Sequence, residues 1–427
     1  MPRLLIVTTV PDSVPFFVPF ADHFRRAGWT VDALTGSLEG LVWRDHFDAV
    51  HRVPWSRDPT ALGRLARSPV RVREVVARGR YDIVHVHTPV ASFVTRLALR
   101  SRDRRTGPRV IYTAHGFHFH RSGQRWRNAA YLALEKVAGR WTDWLVVINR
   151  EDEAAARRFR IVPGERVRWM PGIGVDLGKY SPRAVSEDAL RRLRAELGLG
   201  EDPVALMVGE FVPGKRHADL LRAFAVARRR PELARARLLL AGRGPLSEEV
   251  EKLAAALGMA REVRVLGLRR DIPVLLRAAS VLVLPSDREG LPRCVLEAMA
   301  MGVPVVGTRV RGTTELLGGG CGWLVEVGDP AGLAAAMVEA LTDPAGAREV
   351  ASRARERVAA YDERLVIRSH EELYAEALAS LRSPGSATRS GRERSLAPPS
   401  PSAPARPATG TARPRTAAQH QAGSSAP

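Results

Sequence analysis

Short apolar runs rich in β-branched residues alternate with longer amphipathic segments along the first 170 residues. Apolar runs of this kind predict buried strands of a parallel sheet, and the amphipathic segments predict helices that cover it. The predicted strands are Leu4–Val10, Trp29–Leu34, Ala49–Val53, Tyr81–His87, Arg109–Thr113, Trp144–Ile148 and Val167–Met170. The predicted helices lie near Phe17–Ala27, Val70–Arg78, Ala91–Arg100, Trp126–Arg140 and Glu151–Phe159. This alternation indicates a doubly wound α/β domain.

A stretch rich in glycine and proline, Pro171–Pro182, interrupts the pattern, and we interpret it as an interdomain linker. The α/β pattern then resumes at Pro203–Phe211, with strands at Leu238–Ala241, Val263–Leu266, Val281–Leu284 and Val303–Val306 and helices near 215–229, 247–257, 272–279, 330–341, 345–360 and 363–381. We therefore predict one domain over residues 1–178, a second over 179–362 and a C-terminal helix over 363–382. Residues 383–427 are mostly Ser, Pro, Ala, Gly, Thr and Arg with almost nothing to bury, which predicts a disordered tail.

Residues 280–308 predict a strand, a glycine-containing loop, a helix and a second strand, with Glu289 in the loop and Glu297 in the helix. In an open parallel sheet, ligands bind beyond the carboxyl ends of the strands, beside helix N-termini. Amides around Gly290 and Leu291 would suit a diphosphate there, and two carboxylates could accept hydrogen bonds from sugar hydroxyls. The alternative is that Glu289 caps the helix and Glu297 lies on a solvated face.

The full string, SVLVLPSDREGLPRCVLEAMAMGVPVVGT, resembles the EG-x-P…EA-x-x-x-G-x-PVV signature of the retaining glycosyltransferases of family 4. The resemblance implies the GT-B fold, in which two Rossmann-like doubly wound domains face a cleft and a C-terminal helix crosses back to the first domain. It also implies that Glu289 faces the donor sugar and that Glu297 faces the ribose of a nucleotide sugar.

The string YTAHGFHFH resembles the strand-end histidine and glycine beside the donor sugar in this family, especially in bacterial exopolysaccharide and capsule enzymes. The resemblance assigns His115 to that position, with Gly116 allowing close backbone approach to the substrate. The other nearby histidines could bind a metal ion, pack in the core or contact the acceptor; they are His85, His87, His118 and His120. Zinc usually recruits Asp, Glu or Cys as well, and only Asp82 is close in sequence, so we predict no metal.

The string GEFVPGKRH, residues 209–217, follows the first strand of the second domain. A lysine in this loop can neutralise a departing diphosphate, where negative charge grows in the transition state. The family usually has an arginine directly after the glycine, and this chain has Glu210 instead. Lys215 and Arg216 are therefore the candidates to supply the positive charge. In the family, the turn that corresponds to Ala241–Pro245 helps to shape the nucleotide pocket.

The chain of 427 residues has a formal net charge of +20, of which +13 falls within residues 1–180. Such asymmetry points to an anionic partner. An anionic membrane surface is favoured over nucleic acid, because aromatic residues make up only 6% of the chain. The apolar N-terminus lacks a basic leader, no run approaches a membrane span, and the only cysteines are Cys294 and Cys321. These features predict a cytoplasmic protein, peripheral at the inner face of the membrane.

The resemblance, taken together with these observations, implies a metal-independent, retaining glycosyltransferase without a cofactor. It would move a hexose or N-acetylhexosamine from a nucleotide sugar, in the first place a UDP-sugar, to a lipid-linked saccharide during exopolysaccharide or capsule assembly. The rival interpretations are a nucleotide-sugar epimerase or hydrolase of the same fold and a non-enzymic nucleic-acid-binding protein. Phe16, Phe17 and Phe20 are expected in the core, with an apolar lip for a lipid-linked acceptor as the alternative.

Overall fold

A computed structural model of the chain describes residues 1–38, 42–55, 62–120 and 123–382. The predicted disordered tail, 383–427, lies outside the described residues. Within them, no helix is both long and apolar enough to cross a bilayer.

The N-terminal lobe is built on a seven-stranded parallel sheet. Its strands are β1 (Arg3–Val7), β2 (Thr30–Thr35), β3 (Ala49–Arg52), β4 (Ile83–His87), β5 (Arg109–Ala114), β6 (Trp144–Val147) and β7 (Val167–Trp169). They lie in the order β3-β2-β1-β4-β5-β6-β7, so the direction of winding reverses between β1 and β4. The helices are α1 (Val18–Arg26), α2 (Leu62–Gly79), α3 (Pro89–Ala98), α4 (Arg125–Gly139) and α5 (Arg150–Arg158). All seven predicted strands are present.

The C-terminal lobe contains a second, six-stranded parallel sheet in the order β10-β9-β8-β11-β12-β13. Its strands are β8 (Val204–Val208), β9 (Arg237–Ala241), β10 (Val263–Gly267), β11 (Val281–Leu284), β12 (Val305–Thr308) and β13 (Trp323–Val325). The helices that follow α5 along the chain are α6 (Glu187–Glu196), α7 (His217–Ala227), α8 (Ser247–Ala256), α9 (Ile272–Ala278), α10 (Arg293–Ala300), α11 (Arg311–Leu317), α12 (Pro330–Thr342), α13 (Pro344–Val358) and α14 (Glu363–Arg382). Here the winding reverses between β8 and β11.

Three elements of the C-terminal lobe were not predicted: α6, α11 and the edge strand β13. Strand β13 is only three residues long and half-buried, so it carries little of the continuous apolar signal of an interior strand. In the N-terminal lobe, α2 begins at Leu62 rather than near Val70, because the helix continues through Pro69. A proline removes one backbone hydrogen bond but does not always end a helix.

The predicted linker is packed against the rest of the chain. Val175 and Tyr180 are buried, and the amide of Val175 donates to the carbonyl of Tyr361 at 2.9 Å. Gly174 has a φ of +75°, and a Cβ there would lie 2.5 Å from the Cα of Glu363. The segment therefore passes directly against the start of α14, at a place that only glycine fits.

Helix α14 crosses back onto the N-terminal sheet, as the resemblance implied. Its apolar face, formed by Leu373, Tyr374 and Ala377, packs in one cluster with Leu4 and Ile111. This contact confirms the predicted crossover helix.

The three phenylalanines after β1 take different positions. Phe17 and Phe20 are buried, which confirms the expectation of core residues. Phe16 is 43% exposed, so the expectation was wrong for this residue. The guanidinium of Arg293, from the C-terminal lobe, lies over its ring at 4.7 Å from the centroid.

Candidate functional site

The predicted site residues of the C-terminal lobe lie at the carboxyl ends of β8 and β11, where the winding reverses. Crevices at such positions are the usual ligand sites of open α/β sheets. The loop after β8 and the loop after β11 contact each other, since the amide of Asp287 donates to the carbonyl of Gly214 at 2.9 Å. Two segments more than 70 positions apart in sequence therefore form one surface.

Lys215 and Glu289 form an ion pair on this surface. The Nζ of Lys215 lies 2.5 Å from Oε1 of Glu289, and their side chains are only 22% and 11% exposed. Burial alone would lower the pKa of Lys215, but the attraction of Glu289 outweighs it, and the pKa lies above its ordinary value. Lys215 is therefore a positively charged, partly desolvated ammonium held beside a carboxylate.

The start of α10 offers free backbone donors next to this pair. Pro292 precedes the first helical residue, Arg293, and Pro292 makes no side-chain cap. Within the described residues, the amides of Gly290 and Leu291 donate to no backbone or side-chain acceptor. Unpaired amides at the positive end of a helix dipole can bind an anion. The predicted diphosphate position thus combines free amides with the ammonium of Lys215.

Glu297 lies one turn further along α10 and is only 7% exposed, so the alternative of a solvated face is wrong. Its carboxylate accepts a hydrogen bond from Arg293 at 3.2 Å, and the hydroxyl of Tyr180 is also hydrogen-bonded to it. Burial raises the pKa of Glu297 above the ordinary value, and Arg293 and Tyr180 oppose that rise. Cys294, between these groups, has a pKa raised by burial to about 12 and is therefore a neutral thiol.

The N-terminal lobe approaches this surface through the loop after β5. Gly116 has a φ of +112°, and a Cβ on it would lie 3.1 Å from the Cα of Gly290. A Cβ on Gly290 would lie 2.1 Å from the carbonyl oxygen of His115. The two predicted site loops, one from each lobe, therefore meet glycine to glycine.

A buried polar network joins the lobes beside this contact. The guanidinium of Arg311, at the start of α11, forms an ion pair with Asp152 of α5 and donates to the carbonyl of Phe117 at 2.5 Å. Asn149 donates through Nδ2 to the carbonyl of Gly290 at 3.1 Å. The side chains of Arg311 and Asp152 are 4% and 1% exposed. No sequence motif pointed to these residues, because their partners lie more than 140 positions away.

Four histidines cluster on the N-terminal side of the site, and we refer to His85, His87, His115 and His370 as the histidine cluster; the first two and His370 are buried, and His115 is half-buried. The ring of His87 lies 4.1 Å from the ring of His85 and 5.3 Å from that of His115, measured between centroids. Burial lowers the pKa of all four, to about 4 for His115 and His370. Among the described residues, no three His, Cys, Asp or Glu side chains are placed to hold a metal ion.

The predicted residues differ in how closely the structure brings them together. The loop after β5 carries His115 and Gly116, and the loop after β11 carries Glu289, Gly290 and Leu291; these two loops meet at the junction of the lobes. The adjacent loop after β8 carries Lys215. The guanidinium of Arg216 instead pairs with Asp219 at 2.6 Å in the first turn of α7, and Glu210 is exposed. The assignment of these residues to donor binding or catalysis stays a prediction.

The chain has the GT-B fold of several solved glycosyltransferases. It superposes on Anabaena Alr3699/HepE, solved in complex with UDP and glucose, with a TM-score of 0.72 and 20% identity, over 88% of this chain and all of that one. WaaG, a glycosyltransferase involved in lipopolysaccharide biosynthesis, superposes with a TM-score of 0.70 and 20% identity, over 87% of this chain and 99% of that one.

Sequence comparison then gives the family. Residues 17–178 match the family described as Glycosyltransferase Family 4, and residues 202–343 match Glycosyl transferases group 1. A Bacillus subtilis (strain 168) protein, EpsD, described as a glycosyltransferase, is 32% identical over 84% of this chain and 92% of its own length. An Escherichia coli UDP-Gal:alpha-D-GlcNAc-diphosphoundecaprenol alpha-1,3-galactosyltransferase is 28% identical over 62% of this chain and 67% of its own. The chain belongs to the family 4 glycosyltransferases.

Proposed function

We propose that the protein transfers a hexose or N-acetylhexosamine from a nucleotide sugar to a lipid-linked saccharide, with retention of anomeric configuration. The observation that carries this proposal is the Lys215–Glu289 pair beside the free amides of Gly290 and Leu291, at the switch point of the second sheet. A UDP-sugar is the donor we favour, since relatives in fold and sequence carry UDP or UDP-galactose in their names.

On the donor side, the diphosphate would bind to the amides of Gly290 and Leu291 and to the ammonium of Lys215. Lys215 would then exchange its contact with Glu289 for a phosphate oxygen, which frees Glu289 to accept hydrogen bonds from the donor sugar. Glu297 would accept from the ribose hydroxyls in exchange for one of its present donors, Arg293 or Tyr180. Fixed charges that face the departing diphosphate stabilise it most where negative charge grows, in the transition state.

On the acceptor side, the His115–Gly116 loop would border the donor sugar. His115 is neutral near pH 7 because burial lowers its pKa to about 4, so its ring can position a sugar hydroxyl but carries no charge. Contact between the lobes would orient the acceptor hydroxyl and exclude water. Lys215 and the helix terminus would neutralise the diphosphate, so we propose that neither a metal ion nor a cofactor is required.

The decisive experiment is a panel of nucleotide sugars offered with and without a lipid-diphosphate saccharide. We expect that sugar is transferred only when the acceptor is present and that NMR shows a product of retained anomeric configuration. Turnover should be undiminished in the presence of EDTA. Turnover of the donor without any acceptor would instead support the epimerase or hydrolase interpretation.

We also propose that the protein binds an anionic membrane surface, at the inner face of the cytoplasmic membrane, and does so through α4. This helix exposes four large apolar side chains, Trp126, Tyr131, Leu134 and Val137. Trp126 is 68% exposed and Leu134 is 47% exposed. The spacing of eight and eleven residues places Leu134 and Val137 on the same face as Trp126. An apolar stripe that faces solvent is unusual for a helix at the surface of a lobe.

Basic side chains flank this stripe. The exposed ones on α4 and at its C-cap are Arg125, Arg127, Lys136 and Arg140. The one acidic residue of the helix, Glu135, points inward and pairs with the buried Arg96 at 3.1 Å. Apolar residues framed by arginine and lysine match the interface of an anionic bilayer. The position of α4 in the N-terminal lobe agrees with the concentration of net positive charge in the first 180 residues.

Co-sedimentation with vesicles tests this surface. We expect binding to vesicles that contain phosphatidylglycerol, weaker binding in high salt, and a large loss in the double variant Trp126→Ser/Leu134→Ser. The matched control is Val70→Ser, which removes an equally exposed apolar side chain from α2. Equal binding to neutral and anionic vesicles, or an equal loss in the control, would contradict the proposal. A dimer that disappears in the double variant would indicate a second copy as the occupant.

A further inference from the structure

We propose that His87 is a positioning residue for glycosyl transfer: its Nδ1 is hydrogen-bonded to Nε2 of His115 at 3.1 Å and holds the orientation of the His115 ring. This inference rests on the proposed role of His115 beside the donor sugar. It adds a residue on a different strand, β4, to which no sequence motif gave a role.

The hydrogen bond joins two neutral rings. Burial lowers the pKa of His87 well below its ordinary value and that of His115 to about 4, so neither ring is protonated near pH 7. A neutral imidazole has one N–H donor and one acceptor nitrogen. The bond forms either with Nδ1–H of His87 donating to Nε2 of His115 or in the reverse arrangement, so it couples the tautomers of the two rings. In His115 the bond occupies Nε2 and leaves Nδ1 for a substrate.

The ring of His87 is held on both sides. It packs against the rings of Phe17 and His85, each with its centroid 4.1 Å away and tilted by 36° and 38°, and the residue is only 3% exposed. His85 is itself bonded at both nitrogens, to Tyr374 at 2.6 Å and to Thr113 at 2.7 Å. These contacts restrict the ring of His87, which is what a positioning residue requires.

The backbone of His87 is fixed as well. Strand β4 lies between β1 and β5, in the middle of the sheet. The next residue, Thr88, has a φ of +63°, which is costly for a β-branched side chain. Its Oγ1 accepts from the amide of Thr9 at 2.9 Å, and this contact holds the turn in place. Such strain is tolerated where surrounding contacts determine the conformation, and it occurs here directly after the residue that touches His115.

Two substitutions at position 87 separate positioning from packing. His87→Phe keeps a ring but removes the hydrogen bond, and we expect kcat to fall about 10- to 100-fold with the KM for the donor changed less than about threefold. His87→Asn places an amide near the position of Nδ1, so it should recover most of kcat. The matched control is His51→Phe, which likewise replaces a hydrogen-bonded histidine by a phenylalanine in the same sheet, but on β3, three strands away from β4. Its kcat should change less than about threefold.

The proposal is overturned if His87→Asn is as slow as His87→Phe, or if His51→Phe loses as much kcat. A folding defect in His87→Phe does not remove the test, because 15N NMR of histidine-labelled wild-type enzyme reports the hydrogen bond directly. We expect a scalar coupling between Nδ1 of His87 and Nε2 of His115 across the hydrogen bond, and its absence would overturn the proposal. If His115→Ala instead keeps wild-type turnover, the proposed role of His115 fails, whereas the NMR result still decides whether His87 fixes its ring.

Discussion

The ion pair between Arg311 and Asp152 tests whether the two lobes meet in solution as they do in the structure. Arg311→Met removes the guanidinium but keeps a side chain of similar length. Asp152 then stays in the interior with one carboxylate oxygen bonded to Asn149 at 2.9 Å and to the amide of Phe117 at 3.2 Å. Its other oxygen loses the guanidinium, its only partner within the described part of the chain.

The size of the effect follows from the burial of both groups. Removing one partner of a buried ion pair costs about 3–5 kcal/mol, because the remaining charge is left uncompensated. Arg309→Met is the matched control, since Arg309 lies two residues away and pairs with Glu326 at 2.9 Å on the exposed surface of the same lobe. Exposed pairs contribute about 0–1 kcal/mol, so the control should be nearly silent.

Urea denaturation combined with a double-mutant cycle gives the measurement. We expect Arg311→Met to lower the free energy of unfolding by several kcal/mol, and the double variant Arg311→Met/Asp152→Asn to lose less than the sum of the two single variants. Turnover should fall as well, because the Phe117 carbonyl that Arg311 holds follows Gly116 directly. A loss below about 1 kcal/mol, equal to that of the control, would refute the closed contact between the lobes.

Three further predictions concern the site itself. Lys215→Met should weaken UDP binding about 10- to 100-fold, as measured by calorimetry, because a charge-assisted contact is lost. Unchanged affinity, or an equal loss in the exposed control Lys252→Met, would show that Lys215 does not bind the diphosphate. Gly290→Ala should abolish turnover without unfolding either lobe, because its Cβ would lie 2.1 Å from the carbonyl oxygen of His115. The control Gly164→Ala, whose Cβ would meet only the tip of an arginine at 3.8 Å, should keep wild-type turnover. An active Gly290→Ala enzyme would contradict the contact between the loops after β5 and β11. The histidine cluster predicts acid lability: its folded pKa values lie below the ordinary 6.5, so the unfolded chain binds more protons and stability falls as pH drops from about 7 toward 4. A thermal midpoint that does not change between pH 7 and pH 5 would speak against it.

The sequence was informative where local pattern determines structure. Val281–Leu284 is a four-residue apolar run followed by a proline, and it is a fully buried interior strand in the structure. The helix after it and the glycines that frame it follow from the same local rules. This stretch also carried the family signature, so the element order around the site could be predicted together with its position at the end of a strand.

The contacts that define the site could not be predicted from local pattern. The Lys215–Glu289 pair and the Arg311–Asp152 pair each join residues more than 70 positions apart. No short sequence motif contains both members of either pair. His370 reaches the histidine cluster only because α14 crosses back onto the N-terminal sheet. The sequence pattern placed His85 and His87 on one strand. It could not decide whether they pack, bind a metal ion or contact the acceptor, because that depends on neighbours from other elements.

We propose that the end of β11 and the start of α10 form the donor-sugar site, with Glu289 as its essential carboxylate. The most direct measurement compares sugar transfer and UDP affinity in Glu289→Gln with those in Glu251→Gln, an exposed glutamate of α8 in the same lobe. We expect Glu289→Gln to lower kcat on the order of 100-fold or more while it still binds UDP, and Glu251→Gln to behave as wild type. Wild-type transfer by Glu289→Gln would contradict the account.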